Sequence, residues 1–252
     1  MMVLMEERPE ARDESRRRHG RRALVVEDEA PLADLLASYL TRDGFEVSVT
    51  SSGTDAVRLA REVDPDVILL DLGLPGLDGV EVCRQVRVFS DAYIVMATAR
   101  SDEVDTLVGL SVGADDYIVK PYSPREVMAR VQAMLRRPRV SAASTGDGPA
   151  ATHALRFGPL SIDPTGRDVW LDGDPVALTR TEFDLLATLA AQPQRAFSRR
   201  QLIDAVWDEA WVGDDHLVDV HIGHLRRKLG DDASEGRFIR TLRGVGYRMG
   251  PG

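Results

Sequence analysis

Cysteine and long apolar runs are scarce in this chain. Cys83 is the only cysteine among 252 residues, so an internal disulfide is impossible. This composition is compatible with a reducing compartment. No apolar run reaches the roughly 18 residues of a membrane-spanning helix, and the apolar patch from Met1 to Met5 is shorter than a signal-peptide core. We therefore expect a cytoplasmic protein that does not enter a membrane.

Residues 21–137 alternate short β-branched runs with segments of helical periodicity. Strands that alternate with helices form a parallel sheet with helices on both faces. The expected fold class of this half is α/β, with a doubly wound sheet of five parallel strands. The predicted strands are 23–26, 45–49, 67–70, 94–97 and 117–119, and the predicted helices are 31–40, 54–63, 80–87, 104–112 and 124–135.

Polar side chains follow four of these strands. Glu27 and Asp28 follow the first, and Asp71, Thr98 and Lys120 follow later ones. Because ligands of open parallel sheets bind beyond the carboxyl ends of the strands, these side chains should share one pocket. Three carboxylates in one pocket favour a hard cation, Mg²⁺ or alternatively Mn²⁺. Asp71 is then the expected nucleophile towards a phosphoryl group, whose oxygens Thr98 and Lys120 would hold.

Four motifs of this half resemble the receiver domain of two-component response regulators. They are EDE at 27–29, DLGLPGLDG at 71–79, ATAR at 97–100 and GADDYIVKP at 113–121. The resemblance covers residues 21–137. It implies that Glu27, Asp28, Asp71 and the Gly73 carbonyl bind the metal, and that Asp71 is phosphorylated.

The same resemblance implies a conformational switch and a dimer. Thr98 would follow the phosphoryl oxygens inward and Tyr117 would rotate into the vacated space, and Lys120-Pro121 would be a cis peptide. The face that forms the phosphorylated homodimer would use ion pairs of Asp115, Asp116, Arg125, Glu126, Arg130 and Arg137. Thr106 and Ser111 depart from the charged residues common in relatives, which predicts a looser dimer.

The remaining segments divide the chain further. Residues 1–20 are expected to be a disordered extension, and residues 138–153 are small, polar and aperiodic, as in a flexible linker. Residues 154–252 should form a second domain, with strands at 155–162 and 168–171, three helices and a terminal hairpin near Gly244. Two helix starts fit the capping box, Thr179 with Glu182 and Ser198 with Gln201.

This second half resembles the winged helix-turn-helix effector domain of the OmpR/PhoB family, an α+β fold. The matching segments are LTRTEF at 178–183, VDVHI at 218–222 and TLRGVGY at 241–247. The third helix, predicted from His216 to Leu229, has its buried stripe at Val218, Ile222, Leu225 and Leu229. Seven basic residues against three acidic ones within 225–248 suit a phosphate backbone.

Promoter DNA is the expected ligand of this half. The side chains opposite the buried stripe should enter the major groove, and Arg243 should reach the minor groove. Gly223 and His224 stand where relatives usually carry arginine, which predicts weaker or differently specified binding. The predicted DNA contacts are Val220, His221, His224, Arg226, Arg227, Lys228, Thr241 and Arg243.

The combined expectation is a transcriptional regulator, not a metabolic enzyme, that a sensor histidine kinase phosphorylates. An acidic loop between Trp207 and Trp211 could contact RNA polymerase. Two alternatives stay open. A phosphohydrolase with an aspartyl-phosphate intermediate would need a second acid two residues after Asp71, where Gly73 stands, and a phosphate-independent DNA binder would not need Asp71 at all.

Overall fold

The computed structural model describes residues 20–98, 112–135, 154–209, 211 and 213–252. The predicted extension, apart from Gly20, and the predicted linker lie outside these ranges. So do the predicted helix at 104–112, apart from Val112, and the residues Thr106, Ser111 and Arg137.

The first half contains the predicted five-stranded parallel sheet, in the order β2-β1-β3-β4-β5. Every residue of β3 and β4 is buried, as expected for central strands with helices on both faces. The strands are β1 (Arg22–Val26), β2 (Glu46–Thr50), β3 (Val67–Asp71), β4 (Tyr93–Thr98) and β5 (Asp116–Val119).

Four described helices accompany this sheet, and a polar cap or a proline begins each of them. Pro31 stands in the first turn of α1, and the side chains of Ser52 and Asp78 accept hydrogen bonds from backbone amides at the starts of α2 and α3. The helices are α1 (Ala30–Arg42), α2 (Gly53–Val63), α3 (Gly79–Arg87) and α4 (Pro124–Leu135).

Gly79 sets how closely α3 approaches the end of β3. A Cβ atom at this position would lie 2.2 Å from the backbone oxygen of Asp71. Only glycine therefore permits this approach, which brings the start of α3 up to the loop that carries Asp71.

The second half combines two antiparallel sheets with three helices. The predicted strand at 155–162 is two strands, because Gly158 turns the chain between them with a φ of +57°. The sheets are β6-β7-β8-β9 (Leu155–Phe157, Leu160–Asp163, Asp168–Leu171, Asp174–Pro175) and β10-β11 (Ile239–Leu242, Gly246–Met249), and the helices are α5 (Arg180–Ala191), α6 (Arg199–Val206) and α7 (His216–Leu229).

Both predicted capping boxes are present, at the starts of α5 and α6. The predicted stripe of α7 is fully buried and forms the core of this half together with Trp207 and Phe238. The hairpin β10-β11 turns at Gly244, which adopts a φ of +73°. No helix in the described ranges is both long and apolar enough to cross a bilayer.

Candidate functional site

Four of the five predicted polar residues, Glu27, Asp28, Asp71 and Lys120, converge on one pocket. Oxygen atoms of Glu27, Asp28 and Asp71 all lie within 4.8 Å of one another. Glu27 and Asp71 are buried, whereas Asp28 is exposed at the mouth. The sheet order explains this convergence, since β1, β3 and β4 are neighbours and their carboxyl ends meet at one edge.

Lys120 joins the two buried carboxylates. Its Nζ donates hydrogen bonds to Glu27 Oε1 at 2.8 Å and to Asp71 Oδ2 at 2.9 Å. Burial alone would lower the pKa of Lys120, but the hydrogen bonds to Glu27 and Asp71 raise it above its ordinary value. Burial, followed by the negative charge of Asp71, raises the pKa of Glu27. The pocket therefore holds a permanent ammonium against a crowded pair of carboxylates.

The donor set of the pocket fits a hard divalent cation. Its three carboxylates supply oxygen ligands, and the group is the only one of its kind that the described residues form. Gly73 lies beside it, because its backbone amide donates to Asp71 Oδ1 at 3.1 Å. The predicted cis peptide between Lys120 and Pro121 is present.

The two predicted switch residues lie on adjacent strands. Thr98 ends β4 and is buried, and Tyr117 on β5 is half-buried beside Met96 in the register of the sheet. Burial raises the pKa of Tyr117.

Sequence reasoning did not identify Tyr122 as part of this region. Burial, followed by the charge of Glu27, raises its pKa to about 12, so its hydroxyl stays protonated next to the carboxylates. Its position immediately after Lys120-Pro121 in the sequence could have indicated that it lies near the pocket.

The first half of the chain (residues 20–135) and the second half (residues 154–252) meet at Asp115. Its carboxylate accepts hydrogen bonds from Thr181 Oγ1 of α5 at 2.7 Å and from the Ile94 amide at 2.9 Å, and it pairs with Arg87. Its backbone oxygen lies 3.3 Å from Trp207 Nε1 and 3.3 Å from His221 Nε2. One residue of the first half thus contacts two helices and a tryptophan of the second.

A second set of contacts surrounds Asp116. Arg130 donates two hydrogen bonds to its carboxylate, at 3.1 and 2.9 Å, and both side chains are buried. Trp211 Nε1 donates to the same carboxylate at 3.0 Å, and the Arg130 guanidinium lies 5.1 Å from the centre of the Trp211 ring. Arg180 of α5 adds an ion pair with Asp91 at 2.8 Å.

The residues predicted for the dimer therefore lie mostly within this contact between the halves. Asp115, Asp116 and Arg130 are buried in it, and Glu126 is half-buried and pairs with Arg130 at 3.1 Å. Arg125 is exposed. The roles of these residues in a dimer stay predictions.

Helix α7 has two buried faces. One is the predicted core stripe, and the other carries Leu217 together with His221 and His224, two of the predicted DNA contacts. In this arrangement the first half of the chain covers that second face. Val220 is half-buried, and Arg227 and Lys228 are exposed.

The hairpin is joined firmly to α7. Arg226 Nη2 donates to the Ile239 carbonyl and to Thr241 Oγ1, both at 2.8 Å, so it holds the hairpin. Thr241 and Arg243 are exposed on that hairpin.

A half-buried network strengthens the same connection. Asp219 Oδ1 of α7 accepts hydrogen bonds from Tyr247 of the hairpin and from Arg199 of α6, each at 2.7 Å. These hydrogen bonds lower the pKa of Asp219 although burial alone would raise it, so Asp219 stays ionised and keeps the three elements together.

Comparisons with known proteins agree with both halves. Residues 23–132 match the model of the response regulator receiver domain, and residues 173–249 match that of the C-terminal domain of transcriptional regulatory proteins. The chain is 44% identical over 230 residues to the DNA-binding response regulator MtrA of Mycobacterium tuberculosis, covering 91% of this chain and 97% of that one. It is 43% identical to the sensory transduction protein RegX3 of Mycolicibacterium smegmatis, covering 90% of this chain and 97% of that one.

A solved structure of a RitR mutant is similar along nearly the whole chain. The TM-score is 0.72 at 29% identity, with 92% of this chain and 100% of that one covered. These matches favour a transcription factor over the phosphohydrolase that aspartyl-phosphate chemistry alone would permit. The chain belongs to the OmpR/PhoB family of response regulators, DNA-binding proteins of two-component systems that are not metabolic enzymes.

Proposed function

We propose that a histidine kinase phosphorylates Asp71 and that this modification controls binding to promoter DNA. The observation that carries the proposal is the contact of Lys120 with both Asp71 and Glu27 in a buried pocket. An Asp71 carboxylate oxygen would attack the phosphorus of a phosphohistidine, and the bond from phosphorus to imidazole nitrogen would break as the imidazole leaves. Lys120 and Thr98 would hold the transferred oxygens.

We further propose Mg²⁺, or Mn²⁺, as the ion of this pocket. Glu27, Asp28, Asp71 and the Gly73 carbonyl would hold it. When bound, such an ion neutralises charge on a transferring phosphoryl group.

The test is phosphorylation by a small-molecule donor. Incubation with acetyl phosphate and Mg²⁺ is expected to add one phosphoryl group to the intact chain, mapped to Asp71 by mass spectrometry. Asp71→Asn should abolish the modification, and chelation of the metal should do the same. Asp34→Asn, which changes an exposed aspartate of α1, is the matched control and should be modified normally.

Two results would contradict this proposal. One is modification of another residue in the wild type, and the other is promoter occupancy that Asp71→Asn leaves unchanged. The second result would favour the phosphate-independent binder.

For DNA, we propose that α7 enters the major groove and that the hairpin reaches the minor groove. His221, His224 and Val220 would face the bases, and Arg227, Lys228 and Thr241 would bind phosphates. Arg226 would act by holding the hairpin.

Arg243→Ala is expected to weaken DNA binding and to reduce the slope of log affinity against log salt by about 1. The physical reason is the loss of an exposed guanidinium near the minor groove. Arg156→Ala is the control, since it removes the same charge from an exposed position on β6. Fluorescence anisotropy over a range of salt concentrations measures both the affinity and the salt slope. Equal slopes for Arg243→Ala and Arg156→Ala would show that Arg243 does not belong to the DNA interface.

Activation would require the two halves to separate. Asp115, Asp116 and Arg130 cannot serve the contact within the chain and a phosphorylated homodimer at the same time. We propose that the Thr98 and Tyr117 switch weakens the internal contact and frees these residues. Two effector domains on half-sites about 10–10.5 base pairs apart would then bind cooperatively in the cytoplasm and recruit RNA polymerase.

A further inference from the structure

Two of the three histidines of α7, His221 and His224, lie between the two halves of the chain, away from solvent. His221 is 1% exposed and His224 is 6% exposed. Their ring centres are 6.0 Å apart, and the His221 ring is 5.5 Å from that of Trp207. We propose that these two histidines form an acid-sensitive latch, which releases α7 from the receiver half when either ring takes up a proton.

The hydrogen bonding of His221 determines which atom would be protonated. Nε2 donates to the Asp115 carbonyl, so Nδ1 is the basic nitrogen of the neutral ring. Within the described residues this buried Nδ1 has no hydrogen-bond partner. A proton there would create a buried charge and an N–H group without an acceptor, an arrangement that strongly disfavours the closed contact.

The acidic neighbours offer a protonated ring no carboxylate that is not already paired. Asp115, Asp116 and Glu182 face these rings, but each already has its own cation, namely Arg87, Arg130 and Lys228. Glu182 also accepts the capping hydrogen bond from the Thr179 amide at 2.7 Å.

His224 is placed in a similar way. Its Nδ1 is 3.7 Å from Glu182 Oε1, beyond hydrogen-bond distance, and Arg227 and Lys228 repel a charge on the ring. Glu182 attracts such a charge, but its carboxylate is already engaged by Lys228. A positive charge on His224 therefore has only a carboxylate that Lys228 already shares, and a positive charge on His221 Nδ1 has no hydrogen-bond acceptor among the described residues.

The pKa values of His221 and His224 are both shifted in the direction that this geometry predicts. Burial lowers the pKa of His221, and burial followed by the neighbouring His221 lowers that of His224 to about 4. Once separated from the receiver half, both rings face water and return towards 6.5. The open chain then binds more protons, so the closed contact is at full strength above pH 6.5 and weakens as the pH falls from there towards 4.

This latch rests on the proposed function of the chain, because it exposes the same face of α7 that phosphorylation would expose. It does not depend on Asp71. The experiment therefore uses the full-length Asp71→Asn chain, in which failure of the latch and failure of phosphorylation are separate results.

The measurement is single-molecule energy transfer between dyes on Glu62→Cys and Arg156→Cys, one exposed position in each half. Cys83 is buried and is replaced by alanine in all variants. Protonation of His224 alone is expected to raise the ratio of open to closed chains about fourfold as the pH falls from about 7.5 to about 6.

Two histidine variants make the result specific. The double variant His221→Gln with His224→Gln should stay closed at both pH values and lose the response. His216→Gln, which changes an exposed histidine of the same helix, should keep it. A ratio that does not change with pH, or a response that survives in the double variant, would overturn the latch. A response lost in His216→Gln would overturn it as well.

Discussion

Replacing Asp116 with alanine is expected to destabilise the receiver domain by about 3–5 kcal/mol. The change removes the carboxylate that Arg130 Nη1 contacts through both oxygens, and it leaves the half-buried Glu126 as the remaining anionic partner of this buried guanidinium. It also removes the acceptor of the Trp211 indole N–H. Burial of a charge that has lost its main partner is among the most destabilising consequences of a single substitution. Chemical denaturation of the full chain, followed by circular dichroism, measures the loss as a lower midpoint of the receiver transition.

Two further variants test the reason for this loss. Glu62→Ala breaks the exposed pair with Arg58 on α2 and should change stability by no more than about 0.5 kcal/mol. Asp116→Leu combined with Arg130→Met removes both charges and should recover most of the stability. A double variant as unstable as Asp116→Ala would show that the lost acceptor of the Trp211 indole N–H, rather than the guanidinium left without Asp116, is responsible.

Replacing Trp211 with alanine is expected to raise the affinity of the unphosphorylated chain for DNA by about thirtyfold, equivalent to about 2 kcal/mol. Trp211 is 3% exposed, donates to Asp116 and lies against Arg130, so it has the character of a central interface residue. Its loss favours the separated chain, in which His221 and His224 are free to meet DNA. Apparent affinity rises because a larger fraction of molecules is competent to bind.

Anisotropy with a labelled promoter fragment measures this gain, and small-angle scattering measures the accompanying increase in radius of gyration. Trp211→Phe keeps an aromatic ring against Arg130 but removes the N–H donor, so its effect should be intermediate. Unchanged affinity in a variant that remains compact would mean that Trp211 does not hold the closed form. Unchanged affinity in an expanded variant would mean that the contact does not block DNA.

The sequence was sufficient to predict the receiver pocket because its residues have fixed positions relative to strands. Glu27, Asp71, Thr98 and Lys120 all follow apolar runs, and parallel strands must end at one edge. The capping boxes at Thr179 and Ser198 and the buried stripe of α7 were also predictable, because each depends on spacing within one element.

The contact between the halves could not be predicted in the same way. Thr181 and Asp115 are 66 positions apart, and no periodicity relates them. Thr181 is also an ordinary first-turn residue of a helix. His221 and His224 were placed on the correct face of α7, but the pattern of one helix does not show whether DNA or another domain covers that face.

The junction of Asp219 with Tyr247 and Arg199 has a kinetic consequence. Because these hydrogen bonds tie α6, α7 and the terminal hairpin together, the surface that meets a promoter is already assembled while it is covered. Separation of the halves does not have to be followed by folding of a binding element. The rate of DNA binding after a signal should therefore be limited by how fast the halves separate. A later rearrangement inside the DNA-binding domain should not limit it.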